Sequence, residues 1–216
     1  MIAVLGSELD AAARGLVEAW SAEGAVLISA RDLCTCGWKF HATCADGGTF
    51  VAGGVRRQVA HLRGAIVRRP AVAAEELPWI ADDDRHYVAA EINAFLVAWL
   101  SALSCPVLNR PTATSLCGPA WSQTAWQLEA ARAGVKWSSG GDFAALDEMV
   151  YCAGLCHGAT RAARKRAAAR LSAMSGAQLL GVRFSGDAVA AVTLQPALTD
   201  PGARDIVLAH FRATLQ

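Results

Sequence analysis

The chain has 216 residues, of which 54% are hydrophobic and 18% charged, with a formal net charge of +1. That length suffices for one domain with a real core or for two small ones, and the composition excludes a disordered chain. A charge so close to neutral removes any whole-chain electrostatic case for nucleic acid or an anionic membrane. The opening MIAVLGSELD lacks a basic leader before a long apolar run, and no stretch reaches the roughly 18 apolar residues of a membrane span. Both features predict a cytoplasmic protein. Seven cysteines, an odd number, argue against a secreted disulfide framework.

In chain order, IAVLG (2–6) predicts a buried strand. Ser7 is placed to cap the following helix, LDAAARGLVEAWSAEG, with Asp10 three residues on. Gly24 ends that helix and AVLISA (25–30) is the next strand, so the chain opens on a β-α-β unit of a parallel sheet. The Gly- and Cys-rich segment 31–54 reads as a loop with a small hairpin. GAIVRR (64–69) is a third strand, stopped by Pro70. Val88, Ile92, Phe95, Trp99 and Leu103 recur at spacings of three or four, which predicts an amphipathic helix. Its acidic start, Asp82 to Asp84, suits a helix N-terminus.

The stretch CPVLNRPTATSLCGPAW (105–121) then runs a short strand into Asn109-Arg110-Pro111 and on to Gly118-Pro119. Strand ends of α/β sheets are where ligands bind, so this corner is either a ligand site or a strand-terminating turn pinned by two prolines. Pro119 is expected to start a helix over AWSQTAWQLEAARAG, closed by Gly134. The Ser-Ser-Gly-Gly at 138–141 marks a boundary. MVYCAGLC reads as a strand, TRAARKRAAARLSAMSG (160–176) as a helix, and LLGVRFSGDAVAAVTLQP as two antiparallel strands turned at Ser185-Gly186-Asp187. GARDIVLAHFRATL closes the chain as a helix. The predicted fold is α/β: a Rossmann-like, mostly parallel sheet with flanking helices over 1–118, a linker helix and junction over 119–148, and a small α+β module over 149–216.

Three segments, AVLGSELDAAARGLVEAWSAEGAVL, YVAAEINAFLVAWLSAL and CPVLNRPTATSLCGPAWSQTAWQLEAARAGV, together resemble the ATP-grasp superfamily, in the branch with a Rossmann-like pre-ATP-grasp domain. The tail AARLSAMSGAQLLGVRF is similar to the late helix and strand of that family's catalytic lobe. The resemblance rests on the order and spacing of segments and is strongest over the first 135 residues. It implies that Asn109, Arg110, Pro111 and Gly118 form the corner joining the first domain to the nucleotide-binding part. It also implies a long central section with phosphate-binding lysines, where only 135–148 stands here, with Lys136 its single lysine. It further implies acidic and asparagine ligands for magnesium on the late strand and hairpin, where Arg183, Thr193 and Gln195 stand instead. These departures predict a truncated, noncatalytic ATP-grasp-like accessory or scaffold subunit docked on a protein partner, within peptide or natural-product modification. The alternatives are an ATP-dependent carboxylate–amine ligase and a Cys/His metal-binding protein.

Cys34, Cys36, His41 and Cys44 are soft or borderline ligands close in sequence, and Cys152, Cys156 and His157 form a second group. Zinc or an iron–sulfur cluster is the chemistry they offer, against the expectation of no cofactor and thiols used for packing. A regular strand places Cys152 and Cys156 on one side. A Cys–His nucleophile pair in either group lacks an acidic orienting residue. Arg161, Arg164, Lys165, Arg166 and Arg170 form a basic helix, read as a solvated or partner-docking face. No nucleic-acid motif accompanies it, so neither a nucleic acid nor a membrane is an expected partner. Trp99 belongs to a core stripe, and Trp121 and Trp126 to the packing of the following helix. Trp20, Trp38, Trp79 and Trp137 follow no period and are interface candidates. No G-x-x-x-x-G-K-S/T, G-x-G-x-x-G or H-E-x-x-H motif is present.

Overall fold

The computed structural model describes residues 1–42, 44–138, 146–158 and 161–214. It divides into two compact units, Met1–Cys117 and Gly118–Ala213. Ser139, Gly140 and Gly141 of the Ser-Ser-Gly-Gly segment lie outside the described residues.

In the first unit, β1 (Ile2–Leu5), β2 (Ala25–Ile28), β5 (Gly64–Val67) and β6 (Val107–Leu108) form an all-parallel sheet in the order β2-β1-β5-β6. β1 and β5 are buried along their whole length, as a parallel sheet covered on both faces requires. α1 (Ala11–Ala19) crosses from β1 to β2. Its cap is Asp10, whose carboxylate accepts from the Ala12 N–H, and not the predicted Ser7. Between β2 and β5 lie a one-turn helix, α2 (Ala30–Leu33), and the predicted hairpin, β3 (Thr49–Ala52) and β4 (Val55–Gln58). α2 is closed by a capping box of Ser29 and Asp32.

α3 (Asp82–Ala102) carries the predicted stripe. Trp99 and Leu103 are buried, and Val88, Ile92 and Phe95 pack against the same core. Trp38 completes that core. Its ring meets Phe95 and Trp99 edge-on at centroid distances of 5.4 and 5.2 Å, an arrangement that aromatic quadrupoles favour. Trp20 is buried, and Trp38 is partly buried against the core, so neither presents a free ring face for an interface. Trp79 is partly exposed, with the Arg31 guanidinium over its ring.

In the second unit, α4 (Gln123–Arg132) starts later than Pro119 predicts, because Ser122 supplies the cap to the Ala125 N–H. The strand read over 149–156 is a hairpin, β7 (Asp147–Cys152) and β8 (Leu155–Gly158), turning at Ala153-Gly154. Then come α5 (Ala162–Ser175), β9 (Leu179–Ser185), β10 (Ala188–Thr193) and α6 (Pro201–Ala213). The four strands form an antiparallel sheet in the order β10-β9-β7-β8. Met149, Tyr151, Leu180, Val182 and Phe184 point to a core shared with α4 and α5, which includes Trp126, Ala168 and Leu171. α6 packs on β7 and β8 through buried Ala203, Val207 and Phe211. Among the described residues no helix is long and apolar enough to cross a membrane.

Candidate functional site

Asn109, Arg110 and Pro111 follow directly on β6. Asn109 is 1% exposed. The Arg110 guanidinium folds back under the C-terminal end of α3. It donates to the carbonyl oxygens of Leu100, Ser101, Leu103 and Cys105 at 3.2–3.4 Å. The last carbonyls of a helix have no partner within it and carry partial negative charge, so a cation there is stabilising. Pro111 is partly exposed, and Gly118, at the start of the second unit, is buried with φ +104°. At the neighbouring strand end, Arg68 pairs with Asp10 at 3.1 Å and Arg69 with Glu76 at 2.6 Å.

The two cysteine groups belong to different units. Cys34, Cys36, His41 and Cys44 are exposed, and among the described residues no three His, Cys, Asp or Glu side chains converge as a metal site. Cys152 and Cys156 do not share a side: Cys152 pairs with Leu155 and Cys156 with Tyr151 across the hairpin, so they point to opposite faces. Cys152 is fully buried, and that burial pushes its thiol up to about 12. Burial also raises the Cys156 thiol, against the opposing charge of Lys165. Neither is a ready thiolate nucleophile.

The basic helix divides its cations between one buried and four exposed positions. Arg164 is 2% exposed. It donates to the Gly186 carbonyl at 2.9 Å, pairs with Asp147 at 2.8 Å and lies over the Phe184 ring. Arg170 donates to the carbonyls of Ala133 and Gly134 at the end of α4. Arg161 lies 3.7 Å from Asp187. Lys165 and Arg166 remain exposed.

Strand register builds the site that sequence reading did not assemble. In the antiparallel sheet, Arg183 stands opposite Glu148 on one side and Ala191 on the other. Two residues along, Gly181 stands opposite Thr193 and Val150, and Val150 opposite His157. Residues two apart on a strand share a face, so these positions form two adjacent rows on one side of the sheet, away from the α4–α5 core. Glu148, Gly181, Arg183, Thr193, Gln195 and Pro196 line a groove of about 370 Å³ there. Gly181 is required by its shape: a Cβ would stand 2.7 Å from the Thr193 methyl and 3.1 Å from Pro196.

Glu148 also lines an adjoining cavity with His157 and Asp200. His157 Nε2 lies 2.9 Å from Asp200 Oδ1, which also accepts from the Gly202 N–H at the start of α6. A methyl group at residue 202 would overlap the His157 ring. The face therefore carries a carboxylate at its centre, a guanidinium on one side and a carboxylate-anchored imidazole on the other.

The resemblance implies magnesium here, and the donors do not fit it. Mg²⁺ is held by carboxylate and other hard oxygens. Arg183 brings a positive charge to the expected acidic position, Thr193 and Gln195 supply no charge, and Glu148 lies 3.8 Å from the guanidinium.

No family model matches the sequence, and no curated protein matches it. Three solved structures show the same fold. One is macrocyclase MdnC bound with precursor peptide MdnA from Microcystis aeruginosa, with a TM-score of 0.71 at 9% identity, covering 96% of this chain and 98% of that one. Another is ATP-grasp ligase PsnB complexed with minimal precursor, with a TM-score of 0.67 at 12% identity, covering 100% and 98%. The third is a RiPP-associated ATP-grasp ligase from Chryseobacterium gregarium in complex with ADP and a leader and core peptide. Its TM-score is 0.60 at 8% identity, covering 99% and 93%. The expectation of a truncated chain lacking a central lobe does not hold, because the likeness runs nearly end to end in both partners. The accessory, noncatalytic reading built on that truncation falls with it. The shared fold consists of a Rossmann-like parallel sheet and a smaller antiparallel sheet.

Proposed function

We propose that this chain is an ATP-dependent carboxylate–amine ligase acting on a peptide. The observation that supports it is the near end-to-end likeness to ATP-grasp ligases and a macrocyclase bound to precursor peptides. In this reading the carboxylate oxygen attacks the terminal phosphorus of ATP and ADP leaves. The amine then attacks the acyl carbon, phosphate leaves, and one proton is released. His157 is the group on the open face suited to take that proton, with Asp200 holding its other nitrogen, the arrangement expected of an oriented base. No step is assigned to a metal, because Arg183, Thr193 and Gln195 do not form a magnesium site.

The test incubates the full chain with ATP, with and without added Mg²⁺, and a peptide bearing Asp, Glu and Lys side chains. ADP release that depends on the peptide, with loss of one water from the peptide mass, is the expected result. Absence of both under every condition would overturn the reading.

A further inference from the structure

We infer that the cavity between the end of α4 and α5 binds a phosphoryl group, a dianion carried either by a small soluble phosphate or by a phosphorylated side chain. The cavity lies within the second unit, on the helix-covered side of the antiparallel sheet. It shares no residue with the groove at Arg183 or the cavity at His157, and it does not depend on the ligase reading.

Charge decides the ligand class. The cavity has a volume of about 300 Å³ and is lined by Lys136, Arg166, Arg170 and Asp187, beside the small side chains of Ala163 and Ala167. Three positive charges against one negative leave an excess of two. The one carboxylate is also drawn elsewhere, since Asp187 lies 3.7 Å from Arg161 and 3.5 Å from Arg164. A single carboxylate ligand would leave a cation unmatched. A phosphate monoester, with about −1.5 to −2 charges at neutral pH, matches the excess.

One cation is fixed in place and two are unpaired. Arg170 Nη1 donates to the carbonyls of Ala133 and Gly134 at 3.4 and 3.2 Å. Those contacts hold the guanidinium and occupy the helix-end carbonyls that would otherwise repel an anion. The backbone of Lys136 is pinned to β10, its carbonyl accepting from the Val189 N–H at 2.9 Å. Among the described residues no carboxylate pairs with Lys136 or Arg166. Arg166 and Arg170 stand one turn apart on α5, a spacing at which like charges repel. A bridging phosphoryl group turns that repulsion into attraction, with guanidinium forks and an ammonium point charge as its donors.

The test titrates the full chain, in EDTA, with pyrophosphate, with an acetylated heptapeptide carrying one phosphoserine, and with the same peptide carrying serine. Chloride holds the ionic strength constant, so that simple screening is the same in every titration. We expect at least one phosphoryl probe to bind about tenfold more tightly than the serine peptide, and the tighter of the two names the source. K136Q and R166Q should each weaken that probe about fivefold, whereas R183Q, on the open face, should leave it unchanged. Without ligand, R166Q should melt no lower than the wild-type chain, because a repulsion is removed. Equal affinity for all three probes, unchanged binding in K136Q or R166Q, or loss of binding in R183Q would each overturn the site. A lower melt for R166Q would make Arg166 a structural brace and overturn it as well.

Discussion

The two units differ in how their sheets meet solvent. In the first, β1 and β5 are buried throughout, and Arg68, Arg69 and Arg110 at the strand ends are turned onto carboxylates or helix carbonyls. In the second, the antiparallel sheet seals one face against α4 and α5 and leaves part of the other open. Arg164 lies on the sealed side of that unit and Arg183 on the open side. The buried Arg164 guanidinium is bonded internally, whereas the half-exposed Arg183 guanidinium meets solvent. Arginine number therefore says little about binding; the face on which each one stands decides its role.

The largest expected effect tests the sealed side. Arg164→Met should lower unfolding free energy by about 2–3 kcal/mol, because it deletes a charged hydrogen bond to the Gly186 carbonyl and the pair with Asp147. Asp147 is 60% exposed and can rehydrate, which keeps the loss below that of a fully buried pair. Urea unfolding with an unchanged slope measures it. A change below 0.5 kcal/mol, roughly the range of an ordinary surface substitution, would erase the contrast with Arg183.

The corner comes next. Asn109→Ala should cost roughly 1–3 kcal/mol, as for any buried hydrogen-bonding amide left out. Arg110→Ala should cost about 1–2 kcal/mol despite its exposure, since four carbonyl contacts at the end of α3 are lost. Hydrogen exchange should show the last turn of α3 opening more often in Arg110→Ala, and protection identical to wild type would contradict the cap.

A smaller effect follows the pH. Burial pushes the Asp10 carboxyl up, but the Arg68 hydrogen bond and charge, with the Ala13 and Ala12 N–H groups, outweigh it and leave the folded-state value below the ordinary one. The stabilisation is then present above the unfolded value near 4 and disappears as pH falls through the lowered folded value. Asp10→Asn, which keeps the cap and removes the charge, should cost about 0.5–1 kcal/mol at pH 7. The gap to wild type should close in strong acid. A gap independent of pH would assign the loss to capping geometry.

Thiol labelling gives the least perturbing comparison. Cys34, Cys36 and Cys44 are exposed and should react promptly with a maleimide at pH 7. Burial raises the thiols of Cys105, to about 11, and Cys152, to about 12, and both should react only on unfolding. Early labelling of Cys152 in the native state would show that the second sheet opens.

The periodic elements were legible because each records its burial in one continuous segment. The α3 stripe, the strands β1, β2 and β5, and the β9–β10 hairpin with its Ser-Gly-Asp turn all did so. The β7–β8 hairpin was hidden because Ala153, not Asn or Asp, holds the turn with φ +47° before Gly154, so the usual residue signal was missing. The helix start at Ser122 was masked by the stronger-looking Pro119.

The sequence by itself determined the α/β class, the parallel opening sheet, and the odd, scattered cysteines. All of these follow from residue type and spacing along the chain. Only the tertiary structure decided that Arg164 is a buried brace, that Arg110 closes α3, that Cys152 and Cys156 face apart, and that Glu148, Arg183 and His157 share one open face. The last two assignments depend on strand register, which joins β7, β8, β9 and β10 across intervals with no local signal. A one-residue slip of any strand would send its side chains to the opposite face, so no reading of residue types along a single segment could have assembled the groove.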